Sequence, residues 1–274
     1  MLRTVRDTRL WVVDTGPVHT DTASDAAPIV FSHGLLWSAD MYRPQIEALR
    51  STHRCIAYDH RGQGRSDVPD GDEVSIETVT DDAIALIEDL DLGPVHFVGL
   101  SMGGFVGMRI AARRPELVRS LALLDTAADP EPAANVPKYK RLNLAVRWFG
   151  VTPWLGARVM PIMFADSFLA DPDRVGEVRD QERALRGNAP SIYKAVNGVI
   201  RRAACVDELS AIRCPTLVLR GTEDKAIARE RSLALVEQIE GSTWVEVEGA
   251  GHTSTMEQPE AVTEALRQHL AAHA

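Results

Sequence analysis

Ser101 lies in Gly99-Leu100-Ser101-Met102-Gly103-Gly104, directly after the apolar run Val95-His96-Phe97-Val98 and directly before a helix-like stretch from Gly103 to Arg113. The pattern is G-x-S-x-G, in which a strand turns sharply into a helix and lifts a serine to the apex. Glycines flank the serine because the turn is crowded, so side chains at Gly99 or Gly103 would strike a neighbouring strand or helix. The same turn aims the amide of Met102 at the serine oxygen. A nucleophile and half of an oxyanion hole therefore arrive together.

A serine hydroxyl needs a base within hydrogen-bond reach. Among the eight histidines, His252 suits that task, because it follows the strand-like run Thr243-Trp244-Val245-Glu246-Val247 in Glu248-Gly249-Ala250-Gly251-His252-Thr253. A loop leaving that end of a sheet can bring it over Ser101. His96 falls within a strand and reads as structural; His269 and His273 fall in the terminal helix; His19, His53 and His60 are loop residues. The third member is a carboxylate that fixes the imidazole tautomer. Asp224, in Arg220-Gly221-Thr222-Glu223-Asp224-Lys225 after the strand Thr216 to Leu219, gives the chain order Ser, acid, His. Asp125, ending the strand Leu121 to Leu124, is the rival, whereas Glu223 would point elsewhere from the turn.

A second oxyanion donor is expected from the loop after the strand at Ile29, which reads Ser32-His33-Gly34-Leu35-Leu36-Trp37. Gly34 lets the backbone pass close to the serine, so the amide of Leu35 is the first choice and that of Leu36 the alternative. His33 reads as a loop brace, and Trp37 as a substrate-pocket residue. Arg141, Arg147 and Arg158 read as solvated surface arginines rather than as ligands for a substrate carboxylate.

These residues need a scaffold. Short apolar runs at Trp11–Val13, Ile29–Phe31, Cys55–Tyr58, Val95–Val98, Leu121–Leu124, Thr216–Leu219 and Thr243–Val247 are mostly continuous, as in strands buried on both faces. They alternate with helix-length segments at Met41–Arg50, Ile76–Leu90, Gly103–Arg113, Arg229–Ile239 and Glu260–Ala272. The alternation predicts an α/β fold with a mostly parallel central sheet and helices on both faces. Residues 1–126 and 207–274 form the core domain in this reading. Residues 127–206 lack a strand, open with Pro130, Pro132 and Pro137, and form a helical cap whose large apolar residues are expected to supply its own core. Val79, Ala83, Leu86, Ile87 and Leu90 sit at helical spacing and leave a solvated acidic face; Thr15–Ala27 reads as a solvated loop.

A net charge of -9 without a basic cluster disfavours nucleic acid and points to a small-molecule substrate. No apolar stretch spans a bilayer and the N-terminus lacks the apolar core of a secretory signal, so a cytoplasmic protein without membrane attachment is expected. Cys55, Cys205 and Cys214 contain no C-x-x-C pair, and Cys55 and Cys214 read as inert thiols. Asp59-His60-Arg61-Gly62-Gln63-Gly64-Arg65-Ser66-Asp67 is not a dinucleotide fingerprint, since Asp67 replaces its third glycine. Nothing in the chain requires a nucleotide or a metal.

Together, His33-Gly34, the Asp59–Asp67 segment, Gly99–Gly104, Gly221–Asp224 and Gly251-His252 resemble the α/β-hydrolase superfamily across nearly the whole chain. Leu124-Asp125-Thr126-Ala127-Ala128 and Met256-Glu257-Gln258-Pro259 look like the 3-oxoadipate enol-lactonase branch. That resemblance implies an ester or lactone substrate, an acyl-enzyme on Ser101 and no cofactor. Cofactor-free perhydrolases of the bacterial haloperoxidase type, carbon-carbon bond hydrolases and general esterases share most of these motifs. A small-molecule binding or signalling protein on the same fold is the alternative outside catalysis. The chain departs from many relatives after the acid, where Lys225-Ala226 stands in place of an apolar residue and a proline. A differently shaped acid loop is expected there.

Overall fold

The strand-like runs assemble into one eight-stranded sheet: β1 (Leu2–Val5), β2 (Thr8–Asp14), β3 (Ile29–Ser32), β4 (Cys55–Tyr58), β5 (Val95–Leu100), β6 (Val118–Leu124), β7 (Thr216–Gly221) and β8 (Thr243–Val247). The computed structural model describes residues 1–18 and 26–274, so the middle of the Thr15–Ala27 segment, with His19, lies outside the described residues. The spatial order is β1-β2-β4-β3-β5-β6-β7-β8. β1 and β2 run antiparallel, as does β2 against β4, and every later pairing is parallel. The sequence gives no strand signal for β1, where Val5 alone is buried.

Helices α1 (Arg43–Leu49), α2 (Ile76–Asp89) and α3 (Met102–Arg113) follow β3, β4 and β5; α4 (Val136–Phe149), α5 (Pro153–Met163), α6 (Asp166–Ala170), α7 (Val175–Arg186) and α8 (Tyr193–Ile200) all fall between β6 and β7. α9 (Arg229–Gln238), α10 (Ser254–Glu257) and α11 (Pro259–Ala272) complete the chain. The helix expected at Met41 begins as a 3-10 turn over Ala39–Tyr42, and α1 proper starts at Arg43 with Pro44 in its first turn.

Alternate strand residues feed two cores. Val30, Ile56, Phe97 and Leu121 pack with α2 and α3, whereas Phe31, Ala57, Val98 and Leu124 pack with α1 and α11. Burial on both faces explains the unbroken apolar runs, and each large side chain so buried contributes about 1.5–3 kcal/mol. α2 buries Val79, Ala83, Leu86 and Ile87 as its spacing requires. Its acidic face is not wholly solvated: Asp82 is buried and accepts both Nε and an Nη of Arg61, which also reaches Asp7. Burial pushes the Cys55 thiol up to about 12 and that of Cys214 to about 11, which suppresses thiolate chemistry.

The large residues of the insertion divide, contrary to the expectation that most would form its own core. Leu155, Met160, Met163 and Phe164 are buried; Leu144, Trp148, Phe149 and Trp154 are exposed. The four buried side chains join the cluster that contains Phe31, Val98 and Leu124, and the four exposed ones do not.

At the opposite end of the sheet from Ser101, His96 is buried with Nδ1 2.8 Å from Ser120 Oγ, and its ring lies edge-on to His53. Burial, with neighbouring histidines and Arg119, holds His96 down at about 4; burial and His273 do the same for His269. The unfolded chain binds protons below about pH 6.5 that the folded chain refuses until about pH 4, so folding stability falls as pH drops through that window. Thermal midpoints recorded between pH 7 and pH 4 should decline. A His96→Gln, His269→Gln double variant should show a shallower slope, and an unchanged slope would contradict this account.

Candidate active site

The parallel register brings the C-terminal ends of β3 through β8 to one edge, with Leu100 beside Leu124, Leu124 beside Leu219 and Gly221 beside Val247. Ser101, Asp125, Asp224 and His252 leave those ends in the adjoining loops. Ser101 sits at φ 51°, ψ −108°, a conformation that costs on the order of 1–3 kcal/mol and persists only where its surroundings dictate it. They do: Ser101 N–H donates to Leu124 O at 2.8 Å, and Ser101 O accepts from Thr126 Oγ1 at 2.8 Å. A Cβ at Gly99 would collide with the backbone of Gly103, and one at Gly103 with the carbonyl of Ser32. Both glycines are thus required by the close approach of α3 to β5 and β3.

His252 Nε2 lies 2.8 Å from Ser101 Oγ, and His252 Nδ1 lies 3.0 Å from Asp224 Oδ2. Because a carboxylate only accepts, Nδ1 carries the proton and Nε2 is left to accept from the serine hydroxyl. Burial alone would lower the His252 pKa, but the charge and hydrogen bond of Asp224, with Glu257 behind, hold it above the ordinary histidine value. Asp224 is aimed by its other oxygen, which accepts from Ala226 N–H at 2.8 Å and Ile227 N–H at 3.1 Å. Ala226 thus supplies an N–H that a proline at this position could not give.

Asp125 does not reach the histidine. Its Oδ1 accepts from Gly221 N–H at 2.8 Å, and its Oδ2 pairs with Ser254 Oγ. Burial and the nearby Asp224 charge push it up to about 8, which favours its protonated form. Glu223 turns to the insertion and accepts from Ser167.

In the loop after β3, Trp37 N–H closes a turn onto Gly34 O, with Leu36 at φ 75°, a position usually held by glycine. Two side chains hold it there: Leu36 N–H donates to Gln63 Oε1 at 3.0 Å, and Leu36 O accepts from Asn188 Nδ2 at 2.9 Å. The Leu36 amide is therefore committed. The amides of Leu35 and Met102 have no hydrogen-bond partner among the described residues, and Gly34 lies against Ser101 Cβ. His33 is the brace its position suggests, linking Gly34 O to His60 N–H through its two ring nitrogens.

Trp37 is buried edge-on against Phe164 and lines a cleft of about 280 Å³ with Gln63 and Asn188. A different, aliphatic cavity of about 160 Å³ opens beside Leu35 and Leu36 under α4 and α5. Arg141, Arg147 and Arg158 do not line it; Arg147 pairs with Asp72, and Arg158 stacks on Trp154.

Three further residues belong to this region. Gln63 sits in the Asp59–Asp67 segment, whose Gly-rich pattern directs attention to phosphates rather than to a brace. Asn188 has no spacing signal in the insertion. Glu257 is buried, and its carboxylate accepts from the N–H groups on both sides of His252, Gly251 at 3.0 Å and Thr253 at 3.1 Å, and from Ala165 N–H of the insertion at 2.7 Å. Among the described residues, no group of three His, Cys, Asp or Glu side chains is placed to hold a metal ion, and no helix is long and apolar enough to cross a membrane.

The chain is 31% identical over 251 residues to a Rhizobium rhizogenes protein named "Putative carbamate hydrolase RutD", a match spanning 89% of this chain and 92% of the relative. A thermophilic esterase from Thermogutta terrifontis superposes with a TM-score of 0.89 at 30% identity, covering 100% of this chain and 99% of the esterase. The enol-lactonase of Burkholderia xenovorans LB400 gives the same TM-score at 27% identity, covering 99% of this chain and 100% of that one. The sequence pattern of the alpha/beta hydrolase family matches residues 29–265. With its sheet order, its elbow at Ser101 and this match over most of its length, the chain belongs to the alpha/beta hydrolase family.

Proposed function

We propose that the protein is a serine hydrolase of small carboxylic esters or lactones that works through an acyl-enzyme. The observation that carries this reading is the unbroken line from Ser101 Oγ through the His252 ring to Asp224, set beside two free amides. Ser101 Oγ attacks the carbonyl carbon while His252 Nε2 takes its proton, and the amides of Leu35 and Met102 receive the charge that builds on the carbonyl oxygen. His252 then gives the proton to the leaving oxygen, and a water, deprotonated by the same ring, releases the acid. Asp224 stabilises the imidazolium in both halves. Because His252 is a base only when neutral, and its pKa stands above the ordinary value, acylation should gain rate with rising pH through neutrality. The helices of residues 127–206 act as the cap that shapes the acyl pocket.

The names of the esterase and enol-lactonase relatives support this reading. A carbamate, named for another relative, would be served by the same chemistry, but aliphatic walls beside Leu35 favour a carbon chain. A fluorophosphonate probe with a panel of p-nitrophenyl esters and lactones tests the proposal. Labelling of Ser101 together with turnover is expected; neither would occur in a binding protein on this fold.

A further inference from the structure

The insertion carries an apolar surface that its own fold leaves bare. On α4, Leu144 and Trp148 fall one turn apart with Phe149 beside them, and Trp154 stands in the first turn of α5, just beyond Gly150. All four are exposed, Trp148 at 71% and Phe149 at 76%. Aromatic groups held this far into water are costly, and a contiguous patch of them marks an interaction surface.

The charges around the patch indicate what covers it. Residues 136–163 contain five cations, Lys138, Lys140, Arg141, Arg147 and Arg158, and no Asp or Glu, in a chain whose net charge is -9. Arg147 is engaged by Asp72 and by the Tyr193 ring. The other four form no ion pair among the described residues; Arg158 lies 4.2 Å from the centroid of the Trp154 ring, and Lys138 reaches over Tyr139. Cations and apolar groups share one surface, because Lys138, Arg141 and Arg158 meet Leu142, Ala145 and Trp154 across a cleft of about 410 Å³ between α4 and α5. Helical spacing extends it along α4, where Arg141, Leu144 and Trp148 stand at i, i+3 and i+7, and Ala145 and Phe149 at i and i+4. The acidic residues of α7 lie elsewhere. Glu182, with Arg186, approaches α5 at Gly156, which is two residues and so about 200° round the helix from both Trp154 and Arg158.

We propose that this face docks on an anionic phospholipid surface. Leu144, Trp148, Phe149 and Trp154 enter the boundary between headgroups and acyl chains, where aromatic rings are favoured, and the four unpaired cations meet the lipid phosphates and carboxylates. A second copy of the chain fits less well, since a two-fold contact sets the same patch against itself, cation against cation. The protein lies on the bilayer in this arrangement and does not cross it, as no helix among the described residues is long and apolar enough to span. The expectation of no membrane attachment rested on spanning segments and secretory signals, which leave the outer face of a cap untouched. The docking does not depend on which bond the site at Ser101 cleaves.

Co-sedimentation of the full chain with vesicles of phosphatidylcholine, alone or mixed with phosphatidylserine, tests the proposal. Wild type should sediment with the phosphatidylserine vesicles, stay in solution with the neutral ones, and be released by added salt. The triple variant Lys138→Gln, Lys140→Gln, Arg141→Gln should bind about a hundredfold more weakly, at roughly fivefold per cation. The double variant Trp148→Ser, Phe149→Ser should lose about tenfold or more. These positions are all exposed, so thermal midpoints equal to wild type are expected and separate lost docking from lost folding. Wild type that leaves the phosphatidylserine vesicles unbound overturns the inference, as does equal binding to the neutral vesicles or binding that both variants retain. A dimer in solution that the Trp148→Ser, Phe149→Ser variant takes apart also overturns it, by giving the face to a second copy. The wild-type comparison needs no variant and decides the question if either variant fails to fold.

Discussion

Ser101→Ala is expected to lower kcat on the best ester by on the order of 10⁵–10⁶-fold and to abolish covalent labelling, with an unchanged thermal midpoint. The size follows from what remains. Without Oγ no acyl-enzyme forms, and only the Leu35 and Met102 amides and substrate binding continue to favour attack by water. The midpoint should hold because the hydroxyl's bond within the described structure is to His252, while the strained backbone is held by Leu124 O and Thr126 Oγ1, which alanine leaves intact. Single-turnover kinetics with a p-nitrophenyl ester and a thermal melt make the pair of measurements. A variant that retained a tenth of the wild-type rate would place the nucleophile elsewhere.

Asp224→Asn should cost about 10⁴-fold in kcat. The loop explains why in atomic terms. Ala226 and Ile227 both donate to the position of Oδ1, so an asparagine must put its carbonyl oxygen there and turn its NH₂ toward His252 Nδ1. The ring is then forced to carry its proton on Nε2, facing Ser101, where it cannot act as a base. The same change removes the carboxylate that raises the His252 pKa, so the residual rate should lose its dependence on a group titrating above 6.5. Asp125→Asn supplies the contrast. Since burial and the Asp224 charge already favour an uncharged Asp125, an amide reproduces its acceptance from Gly221 N–H and can donate to Ser254 Oγ, and kcat should fall by less than about tenfold. The reverse ranking of the two variants would transfer the acid role to Asp125.

Much of this arrangement was legible in the chain because it is local. The elbow is a turn whose glycines are demanded within five residues, and the buried strands announce themselves as unbroken apolar runs. Their C-terminal ends then place Ser101, Asp224 and His252 together by topology alone. What escaped reading depends on contacts distant in sequence. β1 hides because it buries one side chain; Asp82 reads as solvated until Arg61 arrives from another loop. Gln63, Asn188 and Glu257 matter through backbone groups they hold, and no spacing rule marks a side chain whose partner is a remote amide. Trp37 illustrates the same limit: its place in the oxyanion loop was readable, but its edge-on contact with Phe164 of the insertion joins residues far apart in the chain.

The hold of Glu257 on Ala165, Gly251 and Thr253, with that of Asn188 on Leu36, bears on how this scaffold can be diversified. Exchanging residues 127–206 for those of a relative would remove Asn188 and Ala165 together with the walls of the pocket. The recipient would lose one fastening of its oxyanion loop and one of its histidine loop at the same moment that it gained a new specificity. A productive graft would have to bring an amide donor for Leu36 O and a backbone N–H for Glu257. Variation of side chains on the inner face of α4 leaves both fastenings untouched and offers the shorter route to new substrates.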